Sequence, residues 1–166
     1  DSLPGGRVLV SLLDDDRATF KAQTNEKPLM DQGVKYTDVP TWKNEFLSLD
    51  LSGELWVPGS IGHEVWVDWE PLGKLPPGSY ELYVWIPAQH ATAIGEFSLL
   101  ANGRLVQRDT EAPIDMSAVG GEWKSMGIWN LTEESAVGVR LAVKRAEQLE
   151  YHGEIGVDAV ALVRVE

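Results

Sequence analysis

The stretch YELYVWIPAQHATA, residues 80–93, places Glu81, Tyr83 and Trp85 at every second position. In an extended chain these three share one face, and Tyr80, Leu82, Val84 and Ile86 share the other. HEVWVDWEP (63–71) repeats the design, with Glu64, Trp66 and Asp68 opposite His63, Val65, Val67 and Trp69. Sugars present flat C–H faces on which Trp and Tyr rings stack, while neighbouring carboxylates and amides take up hydroxyl hydrogen bonds. The chemistry on offer is therefore noncovalent recognition of a polyhydroxylated ligand. The candidate ligand-binding residues are Trp66, Trp56, Trp85 and Tyr83 with Glu64 and Asp68; Glu81 and Gln89 are further polar partners. Packing competes with this reading, because Trp is highly buried on average and a central strand is covered on both sides. Trp69 and Trp123 read as core, and for Tyr83 and Trp85 packing is the favoured role. A true platform is expected instead among Trp42, Trp56, Trp66, Trp129 and Tyr151.

Other chemistry is thinly signalled. Asp14-Asp15-Asp16 closes the apolar run RVLVSLL, and carboxylates suit calcium, a hard oxygen-seeking cation. The one metal expectation is accordingly a structural calcium held by Asp14, Asp16 and Asp158, set against the simpler reading of a solvated acidic turn. Asp158 itself, in IGVDAVAL, is expected to make a structural contact rather than a catalytic one. His63, His90 and His152 have no metal-ligand spacing, and the chain lacks GxSxG, P-loop and GxGxxG patterns. No catalytic residue is assigned and no other cofactor is expected. A carboxylate pair for glycoside hydrolysis rests only on the abundance of acids. Asn130-Leu131-Thr132 matches a glycosylation sequon, relevant in a secretory setting that attaches glycans.

The elements that must carry these residues are short alternating strands separated by turn residues. They are RVLVSLL (7–13), EFLSLDL and ELWVP within 45–58, residues 63–71, residues 80–86, and GEFSLLANGRLVQRD (95–109). EWKSMGIWNL (122–131), AVGVRLAVKRA (136–146) and EIGVDAVALVRVE (154–166) complete the set. Asn102-Gly103 between two alternating runs predicts a type I′ hairpin joining 96–101 to 104–108, since both central residues need positive φ. Residues 17–45 read as long loops with one short strand near Gly33–Tyr36. LTEESAVG (131–138) is the one segment suited to a helical turn. The last strand is expected to be continuous, with Ile155, Val157, Ala159, Ala161, Val163 and Val165 on one face. Strands at about ten-residue spacing with turn chemistry between them imply an all-β sandwich or barrel.

Composition bounds the function. The chain has 166 residues, 43% of them hydrophobic, which suits one folded domain spanning 1–166, with 1–60 rich in irregular loops. Fourteen Lys and Arg against twenty-six Asp and Glu give a formal charge of −12. That argues against nucleic acid and anionic lipid surfaces, both of which require concentrated positive charge. With no cysteine, thiol catalysis, disulfides and Cys-based zinc sites are excluded. No apolar run has the length of a membrane span. The chain opens at Asp1, and a fragment of a longer protein is the expected origin.

Several of these pieces, taken in order, resemble a known family. VLVSLLDDD provides an early strand and acidic turn. VDWEPLGKLPPGSYELYVWIPA provides a Trp strand, a Pro-Gly turn and a second strand. GGEWKSMGIWNL and the closing GVDAVALVRV follow. The series is similar to the carbohydrate-binding-like β-sandwich module at the C-terminus of golvesin and in bacterial xanthan lyases, from about residue 8 to the end. The sequence departs from that pattern in a longer 17–60 segment and in APIDM, which replaces a Val-Asp-Gln-like strand. The resemblance implies a jelly-roll-like sandwich in an extracellular, cell-surface or periplasmic bacterial protein. It further implies a non-catalytic accessory or spacer module whose partner is a polysaccharide. The alternatives are an interaction or sensory ectodomain that contacts a protein partner and, third, a small glycan hydrolase.

Overall fold

The computed structural model of the protein describes residues 9–22, 33–37, 45–50, 64–108, 113–118, 120–144 and 153–165. Fourteen strands run through them: β1 (Leu9–Leu13), β2 (Ala18–Ala22), β3 (Val34–Tyr36), β4 (Phe46–Asp50), β5 (Glu64–Trp69), β6 (Lys74–Leu75) and β7 (Gly78–Ile86), then β8 (Ile94–Ala101), β9 (Arg104–Leu105), β10 (Pro113–Asp115), β11 (Glu122–Leu131), β12 (Ser135–Lys144), β13 (Glu154–Val157) and β14 (Val160–Val165). All pairings are antiparallel. One sheet has the order β1-β14-β7-β11. A larger one has β10-β8-β12-β5-β2, with β6 on β12 and β9 on β8. A small third sheet is β13-β4-β3. The all-β architecture predicted by the alternation, with the jelly-roll-like sandwich form that the resemblance implies, is therefore present. Among the described residues helical geometry is confined to 3-10 turns at Asp15–Arg17 and Met116–Ala118, and no helix is long and apolar enough to cross a membrane.

Alternation decides what faces the core. Tyr80, Leu82, Val84 and Ile86 of β7 join Val65, Val67 and Trp69 of β5 and Val137, Val139, Leu141 and Val143 of β12 in one buried cluster. Removing each such side chain from water contributes about 1.5–3 kcal/mol before its ordering cost is subtracted. The Trp69 ring packs 6.0 Å from Phe97, and its indole N–H donates to the Asp158 carbonyl at 2.9 Å. The predicted hairpin closes as expected. Asn102 and Gly103 have φ of 51° and 83°, and Leu100 pairs with Leu105 across the turn.

Four local expectations need correction. Residues 17–45 contain an additional strand, β2, beside the expected β3; its Phe20 is buried against the core although its neighbours are polar. APIDM supplies a real if short strand, β10, on the edge of β8. The segment suited to a helical turn does not form one, because Ser135 already begins β12 and pairs with Leu75. The closing segment is two strands rather than one. Its first half pairs with β4 in the small sheet and its second with β1 and β7, the chain changing sheets at Asp158-Ala159. The expected single face breaks there too: Ile155 and Val157 join the main core, whereas beyond Asp158 Val160 and Leu162 turn to that core and Ala159, Ala161 and Val163 pack with Tyr83 and Trp85 instead.

Candidate functional site

The outward positions of the large sheet bring together residues from three strands. Asp68 of β5 stands opposite Thr19 of β2 and Arg140 of β12, and Trp66 stands opposite Lys21 and Ala142. Cross-strand neighbours on one face lie within side-chain reach. The Arg140 guanidinium grips the Asp68 carboxylate with a two-pronged fork, Nε donating to Oδ1 at 2.7 Å and Nη2 to Oδ2 at 2.8 Å. Lys21 Nζ donates to Oδ2 at 3.4 Å. So held, the guanidinium carbon lies 3.6 Å from the centre of the Trp66 ring, a cation–π contact that fixes the indole. Asp68 is buried and Trp66 half-buried. Ser98 of β8 extends the row beside Arg140. The result is a fixed surface cluster in which the Trp66 ring stays partly exposed and Arg140 has guanidinium hydrogens beyond the two that bond Asp68.

The outward face of the β1-β14-β7-β11 sheet is built differently. Tyr83 and Trp85 are only 6% and 8% exposed and pack with Trp123, Ala159, Ala161 and Val163. Trp123, opposite Trp85 in register, meets it edge-on at 5.6 Å and 86°. Glu81 on the same face is buried and accepts from Ser125 Oγ at 2.6 Å. Tyr83 and Trp85 are thus removed from the candidate ligand surface, because the apolar area a sugar would stack on is already covered. Trp129, another proposed platform ring, is buried as well, with the Arg108 guanidinium 4.1 Å from its centre.

Asp14 caps the 3-10 turn, its Oδ1 accepting from the Asp15 amide at 2.8 Å. Asp15 is 1% exposed, with Lys35 Nζ 3.9 Å from its Oδ2. Burial, the hydrogen bond with Asp14 and the Asp14 charge push its carboxyl up to about 7, against the opposing pull of Lys35. Asp16 is exposed, and Asp158 is buried at the change of sheets. Among the described residues no group of three or more His, Asp or Glu side chains could hold a metal. The small sheet adds a cluster that sequence patterns did not reveal. His90, with φ of 60°, stacks on Tyr36 at 3.9 Å, and its Nδ1 lies 3.0 Å from Glu154 Oε2.

Of the candidate residues, the structure brings Trp66 and Asp68 together and buries Tyr83 and Trp85 elsewhere. Trp56, with Trp42 and Tyr151, lies outside the described residues, and Glu64 is placed only by its backbone, at the start of β5. Reasoning from sequence missed Lys21 and the role of Arg140. Alternation already turned Arg140 outward, but the pairing of β12 with β5 that sets it over Trp66 is a long-range fact.

No protein-family model matches the chain, and no curated protein matches it. Among solved structures it is similar to part of the Paenibacillus xanthan lyase, with 14% identity and a TM-score of 0.61, covering 93% of this chain and 13% of the lyase. It also aligns with a family 35 carbohydrate binding module from Clostridium thermocellum, at 11% identity and TM-score 0.48 over 93% of this chain and 98% of that one. The CBM35 of Cellvibrio japonicus Abf62 aligns at 11% identity and TM-score 0.46, over 94% of both chains. At these identities the likeness is one of fold. The chain resembles a set of distantly related sandwich domains like those of xanthan lyase and the carbohydrate-binding modules.

Proposed function

We propose that the protein is a non-catalytic, extracytoplasmic accessory module that binds glycan chains on the outward face of its large sheet. The carrying observation is the half-exposed Trp66 ring fixed under Arg140, whose guanidinium is itself pinned by Asp68. The part of the indole left exposed beside Arg140 supplies an apolar edge for a sugar C–H face, and the guanidinium hydrogens not used by Asp68 reach for hydroxyls. Both groups are immobilised before a ligand arrives, which lowers the ordering cost of binding. The fold shared with part of the Paenibacillus xanthan lyase supports an accessory role, and the family resemblance carried by the sequence motifs implies a location outside the cytoplasm. The whole chain acts as one module, with any catalysis left to a neighbouring domain.

Because sugar hydroxyls exchange hydrogen bonds with water, binding is weak, with Kd on the order of 10 μM to 1 mM. The test is affinity electrophoresis on neutral and acidic polysaccharides with wild type and Trp66→Ala. Retardation by at least one polysaccharide, lost in Trp66→Ala, is the expected result. The charge of −12 should make polyanions the poorer ligands at low salt. A wild type retarded by none of them that captures a protein partner through the same face would replace this reading with an interaction module.

A further inference from the structure

A second concave surface lies away from the Trp66 face, between the β8–β9 hairpin and the turn joining β11 to β12. It is a groove of about 360 Å³. Arg104, Leu105 and Gln107 line one side, and Asn130, Thr132 and Glu133 the other. Both walls are fixed by hydrogen bonds to the backbone or from it. Asn102 N donates to the Ala136 carbonyl at 2.9 Å, and Ala136 N returns a bond to Asn102 Oδ1 at 3.0 Å. Val106 N donates to the Leu99 carbonyl at 3.0 Å. Ser135 Oγ donates to the Glu133 carbonyl at 3.0 Å, tying the far wall. A groove held this firmly needs little reorganisation to take a ligand.

Several side chains on these walls have no hydrogen-bond partner among the described residues. Arg17, Arg108, Arg140 and Arg164 each donate to a carbonyl or carboxylate. Arg104 has no such partner among the described residues, and neither do the side chains of Gln107, Thr132 and Glu133. Asn130 Oδ1 accepts from Ser79 Oγ, leaving its amide hydrogens available. Leu105 offers an apolar patch, being 53% exposed. Arg104 and Glu133 cancel, so the groove is electrically neutral on a strongly acidic protein. Donors and acceptors stand on facing walls with an apolar patch beside them, a pattern that matches hydroxyls, which both donate and accept.

We propose that this groove is a second ligand site, separate from the Trp66 face, for a neutral polyhydroxylated ligand one or two sugar rings long. Its volume lies at the lower end of ordinary ligand pockets. No aromatic ring lines it, so stacking contributes nothing and binding is in the millimolar range, about 4 kcal/mol. With two sites on one module, a polymer can engage both, raising its affinity over that of a short fragment.

The test is an NMR amide titration of the intact chain with cellobiose, maltose and xylobiose, in wild type, Arg104→Ala, Glu133→Gln and Trp66→Ala. At least one sugar should shift the amides of 104–107 and 130–133, with a midpoint independent of salt. Arg104→Ala should weaken that response about tenfold, as loss of a charged donor does, and Glu133→Gln by less. Both side chains are exposed, so the folded spectrum should survive. Trp66→Ala should leave the groove shifts intact, which separates this site from the sheet-face reading. The proposal is overturned if no sugar shifts those amides at about 100 mM, well above a millimolar Kd. Groove shifts that vanish in Trp66→Ala overturn it equally.

Discussion

The outward faces of the two main sheets start from the same sequence design and end in opposite states. On β7, Glu81, Tyr83 and Trp85 alternate outward; on β5, Trp66 and Asp68 do. The first set is buried with Trp123 as an aromatic layer, its acid bonded to Ser125. The second is an ionic layer, in which Arg140 and Lys21 neutralise Asp68 and leave Trp66 half-exposed. An aromatic–acid alternation therefore does not specify function by itself. The cross-strand neighbour decides: Trp123 opposite Trp85 extends an apolar layer, and Arg140 opposite Asp68 keeps the surface polar.

The contrast can be broken by mutation, the buried face giving the largest response. Trp85→Ala should cost about 3–5 kcal/mol, the range for large aromatic deletions in a packed layer, measured by denaturant unfolding. A loss below about 1 kcal/mol, typical of surface positions, would show that this face is open after all. Next comes Asp68→Ala, which strands Arg140 and Lys21 beside a half-buried indole. About 3 kcal/mol is expected, because removing one partner of a buried pair leaves uncompensated charge. Arg140→Met should cost a comparable amount, because the apolar packing gained on Trp66 is set against a buried Asp68 left with Lys21 alone.

A smaller effect sharpens the contrast between a served and a poorly served carboxylate. Asp68 has three donors, whereas Oδ2 of Asp15 has no hydrogen bond among the described residues and only a distant Lys35. Since the Asp15 carboxyl is raised from 3.8 to about 7, the folded state holds a proton that the unfolded chain has released across that window. Its contribution to stability therefore falls as pH rises from about 4 to 7 and is level above. Asp15→Asn should flatten this slope and gain on wild type at pH 8 relative to pH 4, read from melting temperatures across pH. An unchanged slope would place the titration elsewhere. Trp66→Ala should cost less than Trp85→Ala, since its ring is only partly buried, yet it should remove most glycan binding, as loss of a central aromatic anchor does.

The fold was legible because period-two alternation and one Asn-Gly turn carry most of the information in an antiparallel protein. Val65, Val67 and Trp69, or Val137 to Val143, point inward whatever the topology. The site was half legible. Trp66 and Asp68 could be chosen from one strand, but Arg140 lies 72 residues from Asp68 in the chain, and only the strand order brings them together. Tyr83 and Trp85 were ambiguous for the same reason: covering a face is a property of the rest of the molecule. β2 went unseen since Ala18–Ala22 buries one large side chain, Phe20, too little to mark a period.

The change of sheets at Asp158-Ala159 bears on how the molecule comes apart. The Asp158 carbonyl receives the Trp69 indole from the large sheet, and the Ala159 carbonyl receives the Trp85 amide from β7. The preceding residues are bonded to β4 in the small sheet. Two consecutive peptide groups thus tie three sheets at one knot, and none can peel away while it holds. Local openings should stop short of it, so the Trp85 amide and the Trp69 indole proton should exchange with solvent only through global unfolding, at rates that track total stability.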